Sequence, residues 1–390
     1  MTTIADTAPA EPRIEAARAV QRIEAVSLRG ALPTGPSLVS LAVGEPDFTT
    51  PETVNDALVS AIGAGYTHYA PAHGDAELRG RIAREVETIS GRPHGVENVL
   101  VTHGGTGGLA TAILGLVDPG DRVVIPDPTY SLYADLIAMA GAEIVRAPIA
   151  DDLHWDFDAL ADALVGARMF VFCNPGNPTG IVHTEDELRK LGELLEGTDT
   201  IVLSDEAYSE LVYGDAPFTS VLEVDSLIGR SLYCQTFSKK YAMTGWRLGY
   251  LTGPADMIAA ASRIHGTISG PVNSAVQRAA LVALDGVESD VAGMVSSYAE
   301  RRDLMLRGLA EIPQLTTPTP EGAFYVFPSY DFDMASVDLV ARLREHGVAV
   351  RPGSEYGPTG EGRIRLSYAA SAEDITEGIS RIKDALDGLS

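Results

Sequence analysis

The feature of this sequence that most constrains its fold is a series of short apolar runs, separated by helical stretches, between residues 98 and 252. The runs lack polar alternation, which is typical of strands that are buried on both faces. Strands that alternate with helices in this way form a mostly parallel sheet flanked by helices, an α/β fold. The predicted strands are Val99–Thr102, Arg122–Pro126, Met169–Cys173, Ile201–Ser204, Leu232–Thr236 and Leu248–Leu251.

The two ends of the chain have a different character and predict a second, smaller α+β domain. Helical spacing predicts a first helix within Ile14–Leu28, and an amphipathic pattern predicts a closing helix, Ala372–Leu386, that stops at Gly388. Between residue 263 and that helix we predict two helices and three short strands: Gln277–Leu284, Val291–Ile312, Phe324–Phe327, Val348–Val350 and Ile364–Ser367. The expected domains are an N-terminal segment, 1–45, that joins the small domain, a large domain, 46–280, and the small domain, 281–390.

Composition excludes several classes of partner. The chain has 390 residues, with 29 Lys and Arg against 54 Asp and Glu, so its net charge is −25. Such a length can bury a substantial core in one large or two moderate domains. A negative charge of this size, without a compact run of basic residues, opposes binding to phosphate backbones. We therefore expect no nucleic-acid partner.

The cysteines and the N-terminus indicate a cytoplasmic protein. Cys173 and Cys234 lie in apolar, strand-like runs, and we expect both to be buried thiols without a disulfide. Zinc needs about four ligands, and no Cys and His spacing supplies them, so no metal site is predicted. Residues 1–12 lack the pattern of a signal peptide, and no apolar run reaches the ~18 residues of a membrane span.

A glycine-rich turn follows the first predicted strand of the sheet. It reads His103-Gly104-Gly105-Thr106-Gly107-Gly108 and leads into a helical run, Leu109–Leu116. Glycines let the backbone approach an anion, and the start of a helix offers free N–H groups and the positive end of its dipole. The turn matches neither a P-loop nor the spaced-glycine dinucleotide pattern. It predicts a phosphate-binding site.

Charged residues follow two later strands, at the edge of a parallel sheet where ligands bind. Asp205 comes directly after Ile201–Ser204, and a buried carboxylate in that position needs a cationic partner. Lys239 and Arg247 follow the next strand, and cations there need an anionic ligand. Pyridoxal 5′-phosphate satisfies all three requirements, because it needs a phosphate site, a lysine Schiff base and an acidic partner for its ring nitrogen.

With these residues in place, the sequence resembles the fold type I aminotransferases of class I/II, the aspartate and aromatic aminotransferase family, over nearly its whole length. The order and spacing of eight segments carry the resemblance. They are Leu41–Phe48, Tyr69–Pro71, Gly104–Gly107, Asn174–Gly180, Asp205–Tyr208, Ser238–Gly249, Glu321–Tyr325 and Arg365–Tyr368.

The resemblance implies that Lys239 forms the Schiff base with the cofactor. In this family the lysine follows a serine, here Ser238, and precedes the phosphate-binding arginine, here Arg247, by eight positions. The neighbouring Lys240 departs from the small or polar residue usual there, and we interpret it as a side chain that is either solvated or distant from the cofactor.

The remaining cofactor contacts are also implied by the resemblance. Asp205 would keep the ring nitrogen protonated, and Tyr208 and Asn177 would hydrogen-bond the phenolic oxygen. Tyr130 falls where the family stacks an aromatic side chain on the ring. The residues that would bind the phosphate are Gly105, Thr106, Thr236, Ser238 and Arg247.

The resemblance also assigns the substrate contacts and the assembly. Arg365 would hold the substrate α-carboxylate through a bidentate fork, with Gly44 and Asn177 beside it. Tyr69 would reach the cofactor phosphate of the neighbouring subunit, which implies a homodimer with shared active sites. The implied substrates are amino acids and 2-oxo acids.

The implied reaction is transamination by a ping-pong mechanism, with Lys239 moving the Cα proton. Elimination, decarboxylation or oxidative deamination in the same site is the alternative, since these reactions share their first steps. A non-catalytic sensor fused to a DNA-binding head is disfavoured, because no helix-turn-helix precedes the fold.

Some positions depart from the family pattern. Thr106 replaces the lysine that one branch uses for dicarboxylate side chains, so the sequence favours a broad, neutral or aromatic specificity. The segment 267–273 also differs from the usual Ser/Thr-Asn-Pro pattern near the phosphate. We assign no role to the histidines near the cofactor-binding segments, which are His68, His73 and His103.

Overall fold

A seven-stranded sheet lies at the centre of this computed structural model, which describes residues 15–28, 30, 35, 37–214, 218–387 and 389. The predicted helix residue Ile14 and the predicted stop Gly388 lie outside this range. The strands of the described chain are β1 (Val39–Ser40), β2 (Val99–Thr102), β3 (Arg122–Asp127), β4 (Glu143–Pro148), β5 (Met169–Cys173), β6 (Ile201–Asp205), β7 (Ser231–Thr236), β8 (Gly249–Thr252), β9 (Leu315–Thr316), β10 (Tyr325–Val326), β11 (Ser329–Tyr330), β12 (Val348–Ala349), β13 (Arg351–Pro352) and β14 (Ile364–Ser367).

Helices cover the sheet and build most of the C-terminal part. Within the described residues they are α1 (Arg18–Val26), α2 (Glu52–Gly63), α3 (Ala76–Ser90), α4 (Gly104–Leu116), α5 (Leu132–Ala140), α6 (Phe157–Leu164), α7 (Glu185–Leu194), α8 (Asp225–Ile228), α9 (Phe237–Lys240), α10 (Ala255–Ile268), α11 (Ser274–Asp285), α12 (Glu288–Leu309), α13 (Ser336–Glu345) and α14 (Ala372–Leu386). None of them is long and apolar enough to cross a membrane.

The strand order of the large sheet is β2-β8-β7-β6-β5-β3-β4. β8 is antiparallel to both of its neighbours, β2 and β7, and the other neighbouring strands of this sheet pair in parallel. The predicted α/β fold with a mostly parallel sheet is therefore confirmed. Each of the six predicted strands is present within one residue of its expected ends. The register places Cys173 opposite Asp205 and Asp205 opposite Cys234, so the carboxyl ends of β5, β6 and β7 meet at one edge. Cys173 and Cys234 are buried free thiols.

Several local features differ from the sequence-based expectations, and helix α13 and the short strands β9, β11 and β13 were not predicted. Edge strand β4 was not predicted, because its partly exposed residues include Glu143 and Arg146 and give no continuous apolar run. The glycine-rich segment was expected to precede a helix beginning at Leu109, but α4 already begins at Gly104. Gly104, with φ of 68°, makes the turn, while the following glycines belong to the helix itself.

The N-terminal segment contacts both parts of the molecule. β1 pairs in parallel with β12, and the backbone N–H of Leu41 donates to the carbonyl of Ala349 at 2.8 Å. Helix α1 instead packs against α5, where Arg22 Nε donates to the carbonyl of Ala138 at 2.7 Å. The domain division at residues 45 and 280 stays a prediction.

The C-terminal part has small sheets covered by long helices. β14 lies between β10 and β13 in an antiparallel sheet, and β9 pairs with β11. Helix α14 begins at Ala372, where the Ser371 hydroxyl accepts a hydrogen bond from the N–H of Asp374 and caps the first turn. The buried side of β14 carries an arginine, Arg365, toward the carboxyl edge of the large sheet.

Candidate active site

A cavity of about 860 Å³ opens at the carboxyl edge of β5, β6 and β7. This volume lies within the roughly 300–1,000 Å³ of typical small-molecule sites. Twelve of the residues predicted to bind cofactor or substrate line it: Gly44, Gly105, Thr106, Tyr130, Asn177, Asp205, Tyr208, Thr236, Ser238, Lys239, Arg247 and Arg365. Residues more than 300 positions apart in the sequence thus share one cavity.

Lys239 lies in the short helix α9, immediately after β7, and its side chain enters the cavity. Its Nζ donates a hydrogen bond of 2.5 Å to the carbonyl of Gly44. Burial lowers the pKa of Lys239 to about 8, and the nearby Glu45 carboxylate opposes this shift. A substantial fraction of the amine is therefore neutral near physiological pH, the form that acts as a nucleophile or base.

Lys240 points away from this cavity. Its Nζ lies 2.8 Å from Glu210 Oε1 and 3.8 Å from Glu85 Oε1. Although burial lowers the pKa of Lys240, the neighbouring Tyr241 and Glu210 raise it above its ordinary value. Of the two adjacent lysines, the charged and ion-paired one is therefore Lys240.

Asp205 is the last residue of β6 and is buried. Burial raises its pKa to about 6, even though the Tyr133 hydroxyl donates a hydrogen bond of 2.9 Å to its Oδ2. The carboxylate is thus held by a neutral partner and would gain from a positively charged one. The next residue, Glu206, does not line the cavity; its Oε1 accepts from Ser204 Oγ at 2.9 Å, and burial raises its pKa to about 8.

The N-terminus of α4 and the side chain of Arg247 form one end of the cavity. Arg247 has φ of 54°, a left-handed conformation, and its Nη1 donates to the carbonyl of Thr244 at 2.9 Å. A Cβ at Gly104 would lie 2.9 Å from Arg247 Nη2, so glycine leaves this space open. Thr236 Oγ1 accepts from the backbone N–H of Ser238 at 3.2 Å. Free helix N–H groups, hydroxyls and a guanidinium are a donor set that fits a phosphate.

Arg365 lies at the opposite end and is 6% exposed. Its Nη1 donates to Asn177 Oδ1 at 2.9 Å, and its Nη2 donates to the carbonyl of Ala42 at 2.7 Å. The guanidinium carbon lies 4.2 Å from the ring centre of Tyr325. Its buried Nε has no hydrogen-bond partner among the described residues. A buried cation with a spare donor is suited to a carboxylate ligand.

Gly44 and Tyr208 are joined to this end by Tyr325. The hydroxyls of Tyr208 and Tyr325 lie 2.9 Å apart. A Cβ at Gly44 would lie 1.8 Å from the Tyr325 hydroxyl, so only glycine fits there. Tyr130 is half-buried and packs edge-on against Tyr133, with ring centres 5.6 Å apart.

Tyr69 is the one predicted site residue that this cavity does not include. Its side chain is 95% exposed. It lines a separate surface cavity of about 590 Å³ together with His68 and His103. His103 Nδ1 lies 3.2 Å from His265 Nε2, whereas the carbonyl of His73 accepts from the backbone N–H of Val101.

Several residues that line the site had no assigned role in the sequence analysis. Tyr325 lies in a recognised segment, Glu321–Tyr325, which was the signal that could have identified it. Others include Tyr356, Arg351 and Glu355, and the last two form an ion pair with Nη1 and Oε2 3.0 Å apart. Tyr133, behind Asp205, belongs to an apolar helix and gave no sequence signal of its polar contact.

Comparisons with known proteins identify the family of this chain. The family model described as aminotransferase class I and II matches residues 36–382. The aspartate aminotransferase of Pyrococcus horikoshii is 35% identical over 358 residues, which cover 90% of this chain and 91% of that protein.

Solved structures of aminotransferases also resemble this chain. The aromatic aminotransferase from Pyrococcus horikoshii superimposes with a TM-score of 0.88 at 32% identity, covering 94% of this chain and 98% of that one. The aspartate aminotransferase from Thermotoga maritima gives a TM-score of 0.85 at 33% identity, covering 90% and 92%. The resemblance and the implied enzyme class are confirmed: this chain belongs to the aminotransferase class I and II family, whose members use pyridoxal phosphate to transfer amino groups.

Proposed function

We propose that this enzyme moves the α-amino group of an L-amino acid to a 2-oxo acid, with Lys239 as its catalytic base. The observation that carries the proposal is a buried lysine with a lowered pKa, in one cavity with a buried carboxylate, Asp205, and a buried guanidinium, Arg365. A cation for the substrate carboxylate and a neutral amine for its Cα proton are the two groups that this reaction needs.

The donor set of the cavity fits pyridoxal phosphate. Its phosphate would be held by the N-terminus of α4 and by Arg247, where Gly104 leaves room, together with Gly105, Thr106, Thr236 and Ser238. Tyr130 would pack against its ring, Asp205 would hold the ring nitrogen, and Tyr208 and Asn177 would hydrogen-bond the phenolic oxygen. Lys239 would bind its aldehyde carbon. When bound, this cofactor supplies an electron-withdrawing ring that draws charge from the substrate Cα.

The residues of the chain then have separate tasks. Arg365 binds the substrate α-carboxylate, and Asn177 and the Ala42 carbonyl keep the guanidinium in place. The backbone of Gly44 lies beside Lys239 Nζ and limits where the amine can point. When neutral, Lys239 Nζ would act as the base that takes the proton from the substrate Cα and as the acid that later returns a proton.

Asp205 has a task that depends on its burial. Because the buried carboxylate is costly without a cation, it favours the protonated state of a ring nitrogen placed against it. Tyr133 holds Oδ2 in one orientation, so the carboxylate keeps its direction toward the cavity. Repeating these tasks with a second oxo acid gives a ping-pong cycle.

We further propose a homodimer in which Tyr69 of one subunit contacts the cofactor phosphate held by the other. The strong exposure of Tyr69 and its position outside the main cavity support a role beyond its own subunit. The cytoplasmic location expected from the sequence stays a prediction.

For the side chain of the substrate, Thr106 in place of a lysine favours broad, neutral or aromatic specificity. Because relatives are described as aspartate aminotransferases, acidic amino acids must be tested beside neutral and aromatic ones as substrates.

A single-turnover panel tests the reaction and its specificity. The enzyme loaded with pyridoxal phosphate is mixed with aromatic, neutral aliphatic and acidic amino acids, without any oxo acid. We expect one equivalent of aminated cofactor and one of the matching oxo acid per site, fastest with aromatic or neutral substrates. Repeated turnovers that release ammonia or carbon dioxide, or consume oxygen, would contradict transamination, and a strict preference for aspartate would contradict the proposed specificity.

A further inference from the structure

A cluster of two histidines and a glutamate lies outside the active site and has no part in the proposed mechanism. His154 Nδ1 is 3.0 Å from Glu187 Oε1, and His183 Nδ1 is 3.4 Å from the same oxygen. Among the described residues, these three are the group of histidine, cysteine and acidic side chains that brings three ligand atoms within 4.8 Å of one another. We propose that this cluster is a binding site for a divalent transition metal, of which Zn²⁺ is the best-suited.

The spacing of the ligand atoms fits a tetrahedral metal. Zinc binds imidazole nitrogen and carboxylate oxygen at about 2.0–2.2 Å, and tetrahedral ligands at such lengths lie roughly 3.3 Å apart. The observed separations of 3.0 and 3.4 Å lie on either side of that value. Two nitrogen ligands and one carboxylate favour zinc, cobalt or nickel over magnesium and calcium, which prefer oxygen ligands.

The structure keeps Oε1 of Glu187, which contacts both histidines, directed at them. Its other oxygen, Oε2, accepts from the backbone N–H of Thr184 at 2.7 Å and from the Thr184 hydroxyl at 3.0 Å. This capping box at the start of α7 fixes the carboxylate, so Oε1 stays available as a ligand. A metal ligand whose remaining atoms are held by hydrogen bonds is oriented before the metal arrives.

The imidazole of His183 is equally constrained. Its ring stacks on Trp155, with ring centres 3.8 Å apart and planes at 22°, and its side chain is 8% exposed. His154 is more accessible at 25%, as is needed for a metal to enter from solvent. The site therefore combines a buried ligand, His183, with a partly exposed one, His154, beside which solvent would supply a fourth ligand.

Binding here would connect three separate segments of the large domain. His154 follows β4, His183 follows β5, and Glu187 lies in the first turn of α7. The backbone N–H of His183 donates to Asn174 Oδ1 at 2.9 Å, at the start of the segment that carries Asn177. A small cavity of about 20 Å³, large enough for one water molecule, is lined by both His183 and Asn177. The metal would thus stabilise the loop that presents Asn177 to the substrate.

The test is calorimetric titration of the cofactor-loaded enzyme, stripped of metal by a chelator, with ZnCl₂ and separately with MgCl₂. We expect one Zn²⁺ per chain, a zinc-dependent rise in Tm and no comparable effect of Mg²⁺. His154→Gln and Glu187→Gln should each weaken zinc binding by at least about tenfold, since even loss of an outer-shell partner costs 10–100-fold. Glutamine at position 187 can keep the capping box, which separates loss of a ligand from loss of the fold.

His346→Gln is the matched control, because His346 is an exposed histidine outside the cluster. It should bind zinc as the unmodified enzyme does. X-ray absorption at the zinc edge should show two imidazole ligands. Absence of zinc binding, or equal affinity in His154→Gln, Glu187→Gln and His346→Gln, would overturn the proposal while leaving the transamination proposal intact.

Discussion

Arg365 Nη1 donates a 2.9 Å hydrogen bond to Asn177 Oδ1, and this bond joins a strand of the C-terminal part to the loop that follows β5. The two residues are 188 positions apart in the sequence. With Ala42 accepting from Nη2, the N–H groups left for a ligand are that of Nε and one on each Nη. The direction from which a carboxylate can approach is therefore set by residues from three distant parts of the chain.

The first prediction concerns this guanidinium. Arg365→Lys keeps a positive charge but loses the planar fork and the bond to Asn177, so kcat/KM should fall about 10- to 100-fold, as expected when a charge-assisted hydrogen bond of about 1.5–3 kcal/mol is lost. Steady-state kinetics should show the effect mainly as higher KM values for both amino acid and oxo acid. Cofactor absorbance serves as the control and should not change; unaltered KM values would argue against Arg365 as the carboxylate ligand.

The second prediction separates the two adjacent lysines. Lys239→Ala should abolish the near-ultraviolet or visible absorbance of the bound cofactor, because Nζ of Lys239 lies in the cavity. Lys240→Ala is the matched control and should retain it, since Nζ of Lys240 is paired with Glu210. Borohydride reduction followed by peptide mass mapping checks the assignment. A pyridoxyl adduct on Lys240 would show that the wrong lysine has been chosen.

The third prediction is a pH dependence. The pKa of Lys239, lowered by burial to about 8, means that its amine becomes neutral as the pH rises through that value. Only the neutral amine attacks the cofactor aldehyde, so uptake of pyridoxal phosphate by the apoenzyme should accelerate from pH 6.5 and level off above about pH 9. Stopped-flow absorbance measures this rate. A rate that keeps rising to pH 10.5, the ordinary lysine value, would contradict the lowered pKa.

The fourth prediction concerns the stability of the apoenzyme. Burial raises the pKa of Asp205 from 3.8 to about 6, so between these values the folded protein binds more protons than the unfolded chain. Stability therefore falls as the pH rises through this window, by ~3 kcal/mol in total for a shift of about two units. Asp205→Asn cannot ionise and should raise the Tm of the apoenzyme at pH 7.

The pH series of this variant provides its own control. At pH 4 the Tm values of the two apoenzymes should be close, and the difference should grow up to about pH 6 and then stay level. In the presence of pyridoxal phosphate the order should reverse, because the carboxylate then has its cationic partner. Equal Tm differences at pH 4 and pH 8 would show that ionisation of Asp205 is not the cause.

The fifth prediction tests the shared active site. Mixed dimers of Tyr69→Phe and Lys239→Ala protomers contain one site in which both residues are intact. Random pairing should make half of the dimers mixed, so that their intact sites contribute about a quarter of the activity of the unmodified enzyme, as follows from a two-fold symmetric dimer. The assay is activity after refolding the mixture, with each variant refolded alone as the control. If mixing gives no more activity than the parents, Tyr69 serves its own subunit or none.

The sequence by itself determined six of the seven strands of the central sheet, and its resemblance to a known family identified twelve of the residues that line the cavity. Strands that are buried on both faces, such as Met169–Cys173, consist of continuous apolar residues. Such a run can be identified from the local sequence alone. Asp205 and Lys239 come at or shortly after the ends of two such runs, which predicted their position at the carboxyl edge of the sheet. Strand β4 was missed for the same reason, since an edge strand with exposed residues has no such run.

Only the tertiary structure decided which groups contact each other. The different surroundings of Lys239 and Lys240 depend on where Gly44 and Glu210 lie, and neither position follows from local periodicity. Tyr133 hydrogen-bonds Asp205, 72 positions away in the sequence, and His154 contacts Glu187, 33 positions away. No local sequence pattern predicted either contact. The apolar pattern of the local sequence indicates whether a residue is buried. Its hydrogen-bond partners, in contrast, are fixed by the packing of segments that are distant in the sequence.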